Sequence, residues 1–370
     1  MTTGGDDRIQ TPTLAGAAEL LRWRPRHGVL SIYVDADPAD RGGRWRIELR
    51  DDLDRAIADA GRRDRETRFA VEATAKRITD DLIEPGDARP RGVIGFVEAA
   101  RERGEDRWYA AQIPPRRTEA GHGPRPRIGP LIALLDDGAP LGVVAVSAER
   151  IRLFHWQLGR IEEIHDWEVE LPGLDWRERR SPRSRDPAAA QVVKAAGRDQ
   201  HNQRLEANRE RFAHESGGLV RTSARELAWR QVLAFGDDRY VRPLAQGFGA
   251  GGDLRHVDAA DLVPQPTSLI GARIAELLPA LNRDREQALI ARVKEAAFSE
   301  GRSAFGEQET LQALEQGRVE HLLYDSEHDG LELERMVELA LSTGAAITPV
   351  EGESATRLAE QGGVAALLRY

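Results

Sequence analysis

The chain has 370 residues, no cysteine and a formal net charge of -9 at pH 7. The missing cysteine excludes disulfide bonds, thiolate metal sites and a cysteine nucleophile, and the length predicts two or three domains. No apolar run approaches the roughly 20 residues of a membrane-spanning helix, and the polar first residues carry no signal sequence, so we expect a cytoplasmic protein with no membrane partner.

Residues 1–126 predict an N-terminal α/β domain. Apolar runs closed by turn residues indicate strands, and apolar positions at helical period indicate helices. The predicted elements are a helix within 12–26, a strand at Val29–Val34, helices at Trp45–Ala60 and Phe69–Ile83, and strands within RGVIGFVEA and DRWYAAQIP. The next stretch, RRTEAGHGPRPRIGP, has the composition of a linker, which places the first boundary near 126.

Residues 127–263 predict a middle domain with a mixed sheet. It opens with a short helix in PLIALLDD, and the short connections SAER and QLGR indicate hairpins between three successive strands. A basic segment and the end of a helix then precede two more strands. The predicted strands are Gly142–Val146, Ile151–Trp156, Ile161–Val169, Gln231–Phe235 and Leu254–Val257, with the helix ending over Ala224–Trp229.

Residues 264–370 predict a C-terminal α/β/α sandwich, because helical patterns alternate with short apolar strands. The predicted helices are Leu269–Leu281, Arg283–Glu300, Ala304–Gln316, Leu331–Ser342 and Ser354–Gln361, and the predicted strands are Val319–Tyr324, Ala346–Pro349 and Val364–Leu368. The fold class is therefore α/β multidomain. No Walker, HExxH or Ser-His-Asp pattern is present, and we expect neither a metal nor a cofactor.

The stretch Arg177–Phe212 departs from the acidic charge of the chain. Between Arg177 and Arg211 there are ten Arg or Lys residues and five Asp or Glu residues. A basic segment on an acidic protein is typical of a site for a polyanion. Its Arg-, Ser- and Pro-rich part, Arg177–Ala190, predicts a mobile loop. From about Gln191 the composition predicts a helix, with Gly197 at the bend between loop and helix.

Gln200, Arg204 and Arg211 are spaced so that they lie near one face of this helix. We take as candidate RNA-binding residues the basic side chains Arg183, Arg185, Lys194, Arg198, Arg204, Arg209 and Arg211. The composition is equally that of a charged surface helix following a loose loop, with no partner at all.

Four stretches together resemble bacterial relatives of the archaeal–eukaryotic class-I peptide release factor. They are GVLSIYVDADP, GPLIALLDDGAPLGVVAVSAERIRLFHWQLGRIEEI, GRVEHLLYDSEHDG and GGVAALLRY, and they span the chain in the expected order. The resemblance implies a family-specific N-terminal domain, an RNase-H-like middle domain, and a C-terminal domain like that of the release factor and its surveillance paralogue pelota.

Gly197-Arg198-Asp199-Gln200 matches the Gly-x-x-Gln of the Vms-like ribosome-rescue branch, rather than the Gly-Gly-Gln of true release factors. The resemblance implies that Gly197 and Gln200 are the catalytic residues and that they enter the peptidyl-transferase centre of the large ribosomal subunit. Asp199 in place of the second glycine, and the missing stop-codon-reading motif, argue against ordinary termination.

The resemblance implies a ribosome-associated protein that frees nascent chains from stalled peptidyl-tRNA, either by ester hydrolysis or by cleavage near the 3′ end of the tRNA. One hypothesis is that the protein is a peptidyl-tRNA hydrolase. A non-enzymatic hibernation or surveillance factor that occupies the ribosomal A site is the alternative, and a regulatory RNA-binding protein away from the ribosome is a third. The Gly-x-x-Gln stretch favours the enzyme.

Overall fold

The structure is a computed structural model that describes residues 9–36, 40, 42–83, 90–102, 104–168, 187–250, 252–259, 262–299, 301–327 and 331–370. The chain forms two compact units, the first made of Met1–Gly138 with Ala275–Tyr370 and the second of Ala139–Ile274. The sequence placed boundaries near 126 and 263, and the three-domain division stays a prediction. Within the described ranges, no helix is both long and apolar enough to cross a membrane.

The N-terminal portion of the first unit carries a five-stranded sheet. Its elements are β1 (Ile9–Gln10), α1 (Leu14–Leu20), β2 (Val29–Asp35), α2 (Arg44–Arg63), α3 (Arg65–Ile83), β3 (Gly92–Glu98), β4 (Asp106–Ala111), β5 (Glu119–Gly123) and α4 (Gly129–Asp137). The strand order is β1-β4-β3-β2-β5. The apolar run of β2 is buried along almost its whole length, and α2 and α3 pack on it through Leu49, Leu53 and Val71.

Strand β5 corrects the prediction of a linker over RRTEAGHGPRPRIGP. Its backbone pairs with β2 in antiparallel register, from Glu119 opposite Tyr33 to Gly123 opposite Val29. The residues have little intrinsic strand preference, so the pairing partner, and not the local sequence, makes this segment a strand. An edge strand of this kind tolerates glycine because only one side enters the ladder.

The second unit carries a mixed five-stranded sheet, as predicted. Its elements are β6 (Leu141–Val146), β7 (Arg150–Gln157), β8 (Arg160–Glu168), α5 (Pro187–Glu226), β9 (Gln231–Gly236), α6 (Asp238–Phe248) and β10 (Leu254–Val257). The strand order is β10-β9-β6-β7-β8, with β6, β9 and β10 parallel and β6, β7 and β8 antiparallel. The fully buried β6 lies at the centre. The more specific RNase-H-like assignment stays a prediction.

A buried arginine ties the sheet of the second unit to the segment that follows it. The Arg152 side chain is 7% exposed and makes two hydrogen bonds to the Glu163 carboxylate, at 2.9 and 2.7 Å. The same guanidinium donates to the carbonyl oxygens of Val263, at 3.3 Å, and of Gln265, at 2.6 Å. These bonds supply the charge pairing that a buried guanidinium requires.

The C-terminal portion of the first unit carries a four-stranded sheet of order β11-β14-β12-β13. One long helix, α7, replaces the two helices predicted over 269–300, because Pro279 lies inside it without ending it. Residues of α7, including Leu289 and Val293, pack on the sheet together with Leu358. The elements are α7 (Thr267–Ser299) from Ala275 onward, β11 (Ser303–Phe305), α8 (Gly306–Glu315), β12 (Val319–Asp325), α9 (Leu331–Thr343), β13 (Ala346–Val350), α10 (Gly352–Ala359) and β14 (Val364–Leu368).

A charged cluster joins the N-terminal and C-terminal portions of the first unit. Arg116 makes two hydrogen bonds to Asp137, at 2.8 and 2.9 Å, and lies 3.0 Å from Glu351. Arg285 of α7 pairs with the neighbouring Asp136, which is 5% exposed. Paired charges of this kind hold distant parts of a chain in one register, although their net contribution to stability is small.

Glu286 lies in the same cluster and is also buried. It accepts a hydrogen bond from the backbone N–H of Glu351 at 3.3 Å, and it lies 3.7 Å from Arg116. Burial raises the pKa of Glu286 from its ordinary value of 4.5 to about 6, although the hydrogen bond and the Arg116 charge oppose the change. Desolvation of the charged form therefore outweighs its partners.

Candidate functional site

Helix α5 carries the Gly-x-x-Gln stretch. It runs over 40 residues, which is about 60 Å at 1.5 Å per residue, so Gly197 and Gln200 lie about one turn apart in its interior. The predicted bend at Gly197 is wrong because the helix begins earlier, at Pro187. Proline suits a helix start, where its missing N–H removes no hydrogen bond, and the alanines that follow favour helix.

The side chains of α5 are described from Leu205 onward. Of the segment predicted to be mobile, the part up to residue 186 lies outside the described residues, and residues 187–190 are helical. Positions 200, 204 and 211 fall within about 40° of one another around a helix of 3.6 residues per turn. Candidates outside the described residues, or with only their backbone described, are Arg183, Arg185, Lys194, Gly197, Arg198, Gln200 and Arg204.

The C-terminal half of α5 is held by a close crossing with α6. An added Cβ at Gly217 of α5 would lie 2.2 Å from the carbonyl oxygen of Leu244, and one at Gly247 of α6 would lie 1.8 Å from the carbonyl oxygen of His214. Real Cβ atoms essentially never come within 3.0 Å of another heavy atom. Only glycine therefore fits at either position, and the two glycines set the distance between the helices.

Small residues line the rest of the buried face of α5. Ala213, Ser216, Val220 and Ser223 are buried, at the three- and four-residue spacing of one helix face. Ala213 and Val220 belong to the same hydrophobic cluster as strands β6, β7 and β9. A helix with few large apolar residues is thus held by close backbone approach, because small side chains let the neighbouring surfaces meet.

A polar network holds α5 nearer its N-terminus. The Glu206 carboxylate accepts from Arg209 at 2.9 Å and from the Tyr240 hydroxyl at 3.3 Å, and it pairs with Arg239 of α6 at 2.8 Å. Arg209 also reaches Glu149, in the turn between β6 and β7, at 3.1 Å. Burial, and then the Glu206 charge, raise the pKa of Tyr240. Its hydroxyl therefore stays protonated and able to donate at neutral pH.

Arg209 and Arg211 differ in how open they are to a phosphate. The Arg209 side chain is 19% exposed and is engaged by two carboxylates. The Arg211 side chain is 70% exposed, donates to the Asn208 amide oxygen at 3.3 Å and lies 3.9 Å from Glu215. Such an exposed pair is weak, so Arg211 can exchange it for a phosphate. Arg209 would first have to break its ion pairs with two carboxylates before it could bind a phosphate. Its role in RNA binding stays a prediction.

Helix α6 was not predicted from the sequence, and the residues of α6 that anchor α5 were therefore not identified. Its signal is present: Asp237 caps the helix by accepting from the Arg239 backbone N–H at 2.8 Å, and buried apolar residues follow at helical spacing. They are Tyr240, Val241, Leu244 and Phe248. Pro243 inside the helix and the glycines after it hide this pattern.

The described part of the chain contains no group of three or more His, Asp or Glu side chains that could hold a metal ion. Helix α5 is long, is fixed at its C-terminal half and carries an exposed guanidinium at Arg211. Such a helix can present charge and hydrogen-bonding groups to a polyanion in a fixed geometry.

Residues 126–297 match the family model described as bacterial archaeo-eukaryotic release factor family 10. The comparison with curated proteins finds no match. Among solved structures, an archaeal translation termination factor, aRF1, is 18% identical, with 99% of this chain and 100% of that chain covered and a TM-score of 0.25. Pelota of Archaeoglobus fulgidus is 14% identical, with coverages of 98% and 94% and a TM-score of 0.34.

A model of ribosome-bound archaeal Pelota and ABCE1 is likewise 14% identical, with coverages of 98% and 95% and a TM-score of 0.42. The matched range 126–297 includes the whole sheet of the second unit, α6 and all of α5 with its Gly-x-x-Gln stretch. Residues 126–297 are therefore similar to the bacterial archaeo-eukaryotic release factors.

Proposed function

We propose that this protein acts in the cytoplasm on stalled ribosomes and frees the nascent chain from peptidyl-tRNA. One observation carries the proposal: the Gly-x-x-Gln at 197–200 lies on helix α5, inside the range matched by the release-factor family model. The surrounding segment is basic in an otherwise acidic chain, which supports a nucleic-acid partner at this place.

The proposed reaction is hydrolysis of the peptidyl-tRNA ester. The oxygen of a water molecule attacks the ester carbonyl carbon, the bond from that carbon to the ribose oxygen breaks, and the ribose oxygen takes up a proton. A carboxamide such as that of Gln200 both donates and accepts hydrogen bonds and is uncharged at neutral pH. It can align the water and stabilise the developing oxyanion. Cleavage of the tRNA near its 3′ end is an alternative reaction for a Gln200 side chain placed at the same site.

The basic residues of α5 would hold the acceptor end of the tRNA through its phosphates. Phosphate contacts position a nucleic acid without reading its sequence, which suits a factor that must act on any peptidyl-tRNA. Arg211 is the described side chain that best supports this role, since it is 70% exposed, donates to the Asn208 amide oxygen at 3.3 Å and lies 3.9 Å from Glu215. The close crossing at Gly217 supports it too, because a fixed helix places its ligands with little loss of entropy.

One observation favours the non-enzymatic alternative of a hibernation or surveillance factor in the A site. The backbone of α5 is helical through 197–200, so the N–H groups there are committed to hydrogen bonds within the helix. They cannot serve as oxyanion donors unless the helix opens. Under the enzymatic proposal the side-chain amide of Gln200 must supply the donor alone.

The experiment that tests ribosome binding is co-sedimentation of the full-length protein with ribosomes over a range of salt concentrations. The variant replaces Arg198, Arg204 and Arg211 by Gln. A matched control replaces three arginines of the first unit, Arg292, Arg335 and Arg357, whose side chains are 48–58% exposed.

The α5 variant should bind more weakly, and the slope of log affinity against log salt should flatten by about 2 to 3 for three lost phosphate contacts. The control should keep the wild-type slope, since it removes the same charge elsewhere. Equal slopes for all three proteins would mean that α5 does not contact RNA.

A further inference from the structure

The start of α3 presents an exposed aromatic side chain among arginines. Phe69 is 39% exposed and is not part of the core cluster that α3 builds with the sheet. The guanidinium of Arg65, one turn before it, lies 5.4 Å from the centre of its ring, and that of Arg101, in the loop after β3, lies 5.5 Å from it. Arg63 and Arg68 are exposed in the same stretch. We call Arg63, Arg65, Arg68, Phe69 and Arg101 the basic-aromatic face.

Two carboxylates at the start of α3 already have other partners. Asp64 caps α3 by accepting from the Thr67 backbone N–H at 2.8 Å. Glu66 lies 3.6 Å from Arg26 and 3.8 Å from His27. Among the described residues, none of the four guanidiniums of the basic-aromatic face has a carboxylate within 4.0 Å. The face therefore holds unpaired positive charge on a protein of net charge -9.

We propose that the basic-aromatic face binds an unpaired segment of nucleic acid, with one base stacked on Phe69 and the flanking phosphates on Arg65 and Arg101. Aromatic rings that stack on bases, next to arginines that follow the backbone, are how proteins hold single strands without sequence preference. An anionic membrane would use the arginines but would not need the ring.

The distances agree with such a role. A guanidinium stacked directly on a ring, like that of Arg152 on Phe154, lies 4.8 Å from the ring centre, whereas both arginines at Phe69 lie farther away. Exposed contacts of this kind are weak. The two long side chains can therefore turn toward phosphates and leave the ring open to a base, at little cost to the fold.

This inference goes beyond the proposed function and does not depend on it, because the test uses a free oligonucleotide and no ribosome. The probe is a fluorescein-labelled oligouridine of about twelve nucleotides, within the range of single-strand sites, and binding is followed by anisotropy against salt. All variants are made in the full chain with Arg198, Arg204 and Arg211 replaced by Gln, so that α5 contributes little. The matching deoxythymidine oligomer shows whether the face distinguishes RNA from DNA through the 2′-hydroxyl.

Phe69→Leu should weaken oligouridine binding by about fivefold to a hundredfold, the range expected for one lost stacking contact, and leave the salt slope unchanged. Phe69→Trp should bind at least as tightly as wild type. If Phe69→Leu lowers the midpoint of thermal unfolding, the affinity of Phe69→Trp is the measurement that tests stacking. Arg65→Gln with Arg101→Gln should weaken binding and flatten the salt slope by about 1.4.

Ile47→Ala, which trims another exposed apolar side chain, 61% exposed on α2, should change neither quantity. Equal affinity of Phe69→Leu and Phe69→Trp would overturn the proposal, since it would show that no base stacks on the ring. Binding to vesicles of anionic phospholipid in place of oligonucleotide, with the same arginine dependence, would also overturn it.

Discussion

Replacing Gly217 by Ala should push helices α5 and α6 apart. The new Cβ would lie 2.2 Å from the carbonyl oxygen of Leu244 and 2.5 Å from the backbone nitrogen of Phe248. Both are backbone atoms of α6, so no side chain can move aside to make room. A neighbouring position provides the matched control, because a Cβ at Gly218 would meet nothing within 4 Å.

The two substitutions should change stability in opposite directions. Overpacking of this kind costs about 2–3 kcal/mol, and replacing a helical glycine by alanine returns about 1 kcal/mol. Gly217→Ala should therefore destabilise the second unit by about 1–2 kcal/mol. Gly218→Ala gains the alanine preference without a clash, so it should stabilise by up to about 1 kcal/mol. The free energies of unfolding of the two variants should differ by about 2–3 kcal/mol.

The assay is hydrogen exchange of the peptides that cover α5 from residue 205 and α6, together with urea unfolding followed by circular dichroism. Exchange reports the local stability of each helix even if the two units unfold separately. Gly217→Ala should exchange faster than wild type in both helices, and Gly218→Ala should not. Equal protection and equal midpoints for the two variants would refute the close crossing as the anchor of α5.

Two further predictions concern charged groups inside the units. Arg152→Gln should destabilise the second unit by about 3 kcal/mol in urea unfolding, because it leaves the Glu163 carboxylate without its buried partner. Arg150→Gln, on the same strand as Arg152, breaks the exposed pair with Asp166 of β8 and should cost less than about 1 kcal/mol. Similar losses for the two variants would contradict the burial of Arg152. Glu286, whose pKa is raised to about 6 from 4.5, binds its proton more tightly in the folded state, so its contribution to stability is full below pH 4.5 and is lost as pH rises through about 6. Glu286→Gln should therefore gain about 2 kcal/mol on wild type across that window, and a stability difference that does not change with pH would contradict the raised pKa.

The sequence predicts those elements whose own residues supply the driving force. The runs VLSIYV in β2 and GVVAV in β6 are apolar enough to be buried on both faces, and both are strands in the structure. Strand β5 could not be predicted, because its glycines and polar residues form a strand only against the free edge of β2. Helix α6 was missed because Pro243 interrupts a pattern that Asp237 and buried apolar residues nevertheless stabilise.

The candidate site divides in the same way. The stretch at 197–200 was identified by resemblance, and the positive charge around it by composition. Both features can be recognised from residues that are close together in the sequence. The contacts that hold Arg209 could not be predicted in this way. Glu149 lies 60 positions away in the chain, and the other partner of Arg209, Glu206, is paired with Arg239 of the helix that was missed. A basic side chain in a sequence shows charge, but only the fold shows whether a carboxylate already holds it.

The central claim is that Gln200 acts in peptide release, and peptide release from purified stalled ribosome complexes at saturating protein tests it most directly. Wild type, Gln200→Ala and the control Gln203→Ala, three positions on along α5, are compared, with binding followed in parallel by sedimentation. Wild type and Gln203→Ala should release peptide at similar rates. Gln200→Ala should release it about 10²-fold more slowly, the usual loss for one oxyanion donor, with unchanged binding because an uncharged amide releases no counterions. Wild type that binds these ribosomes and releases no peptide, or Gln200→Ala that releases it as fast as wild type, would contradict the claim.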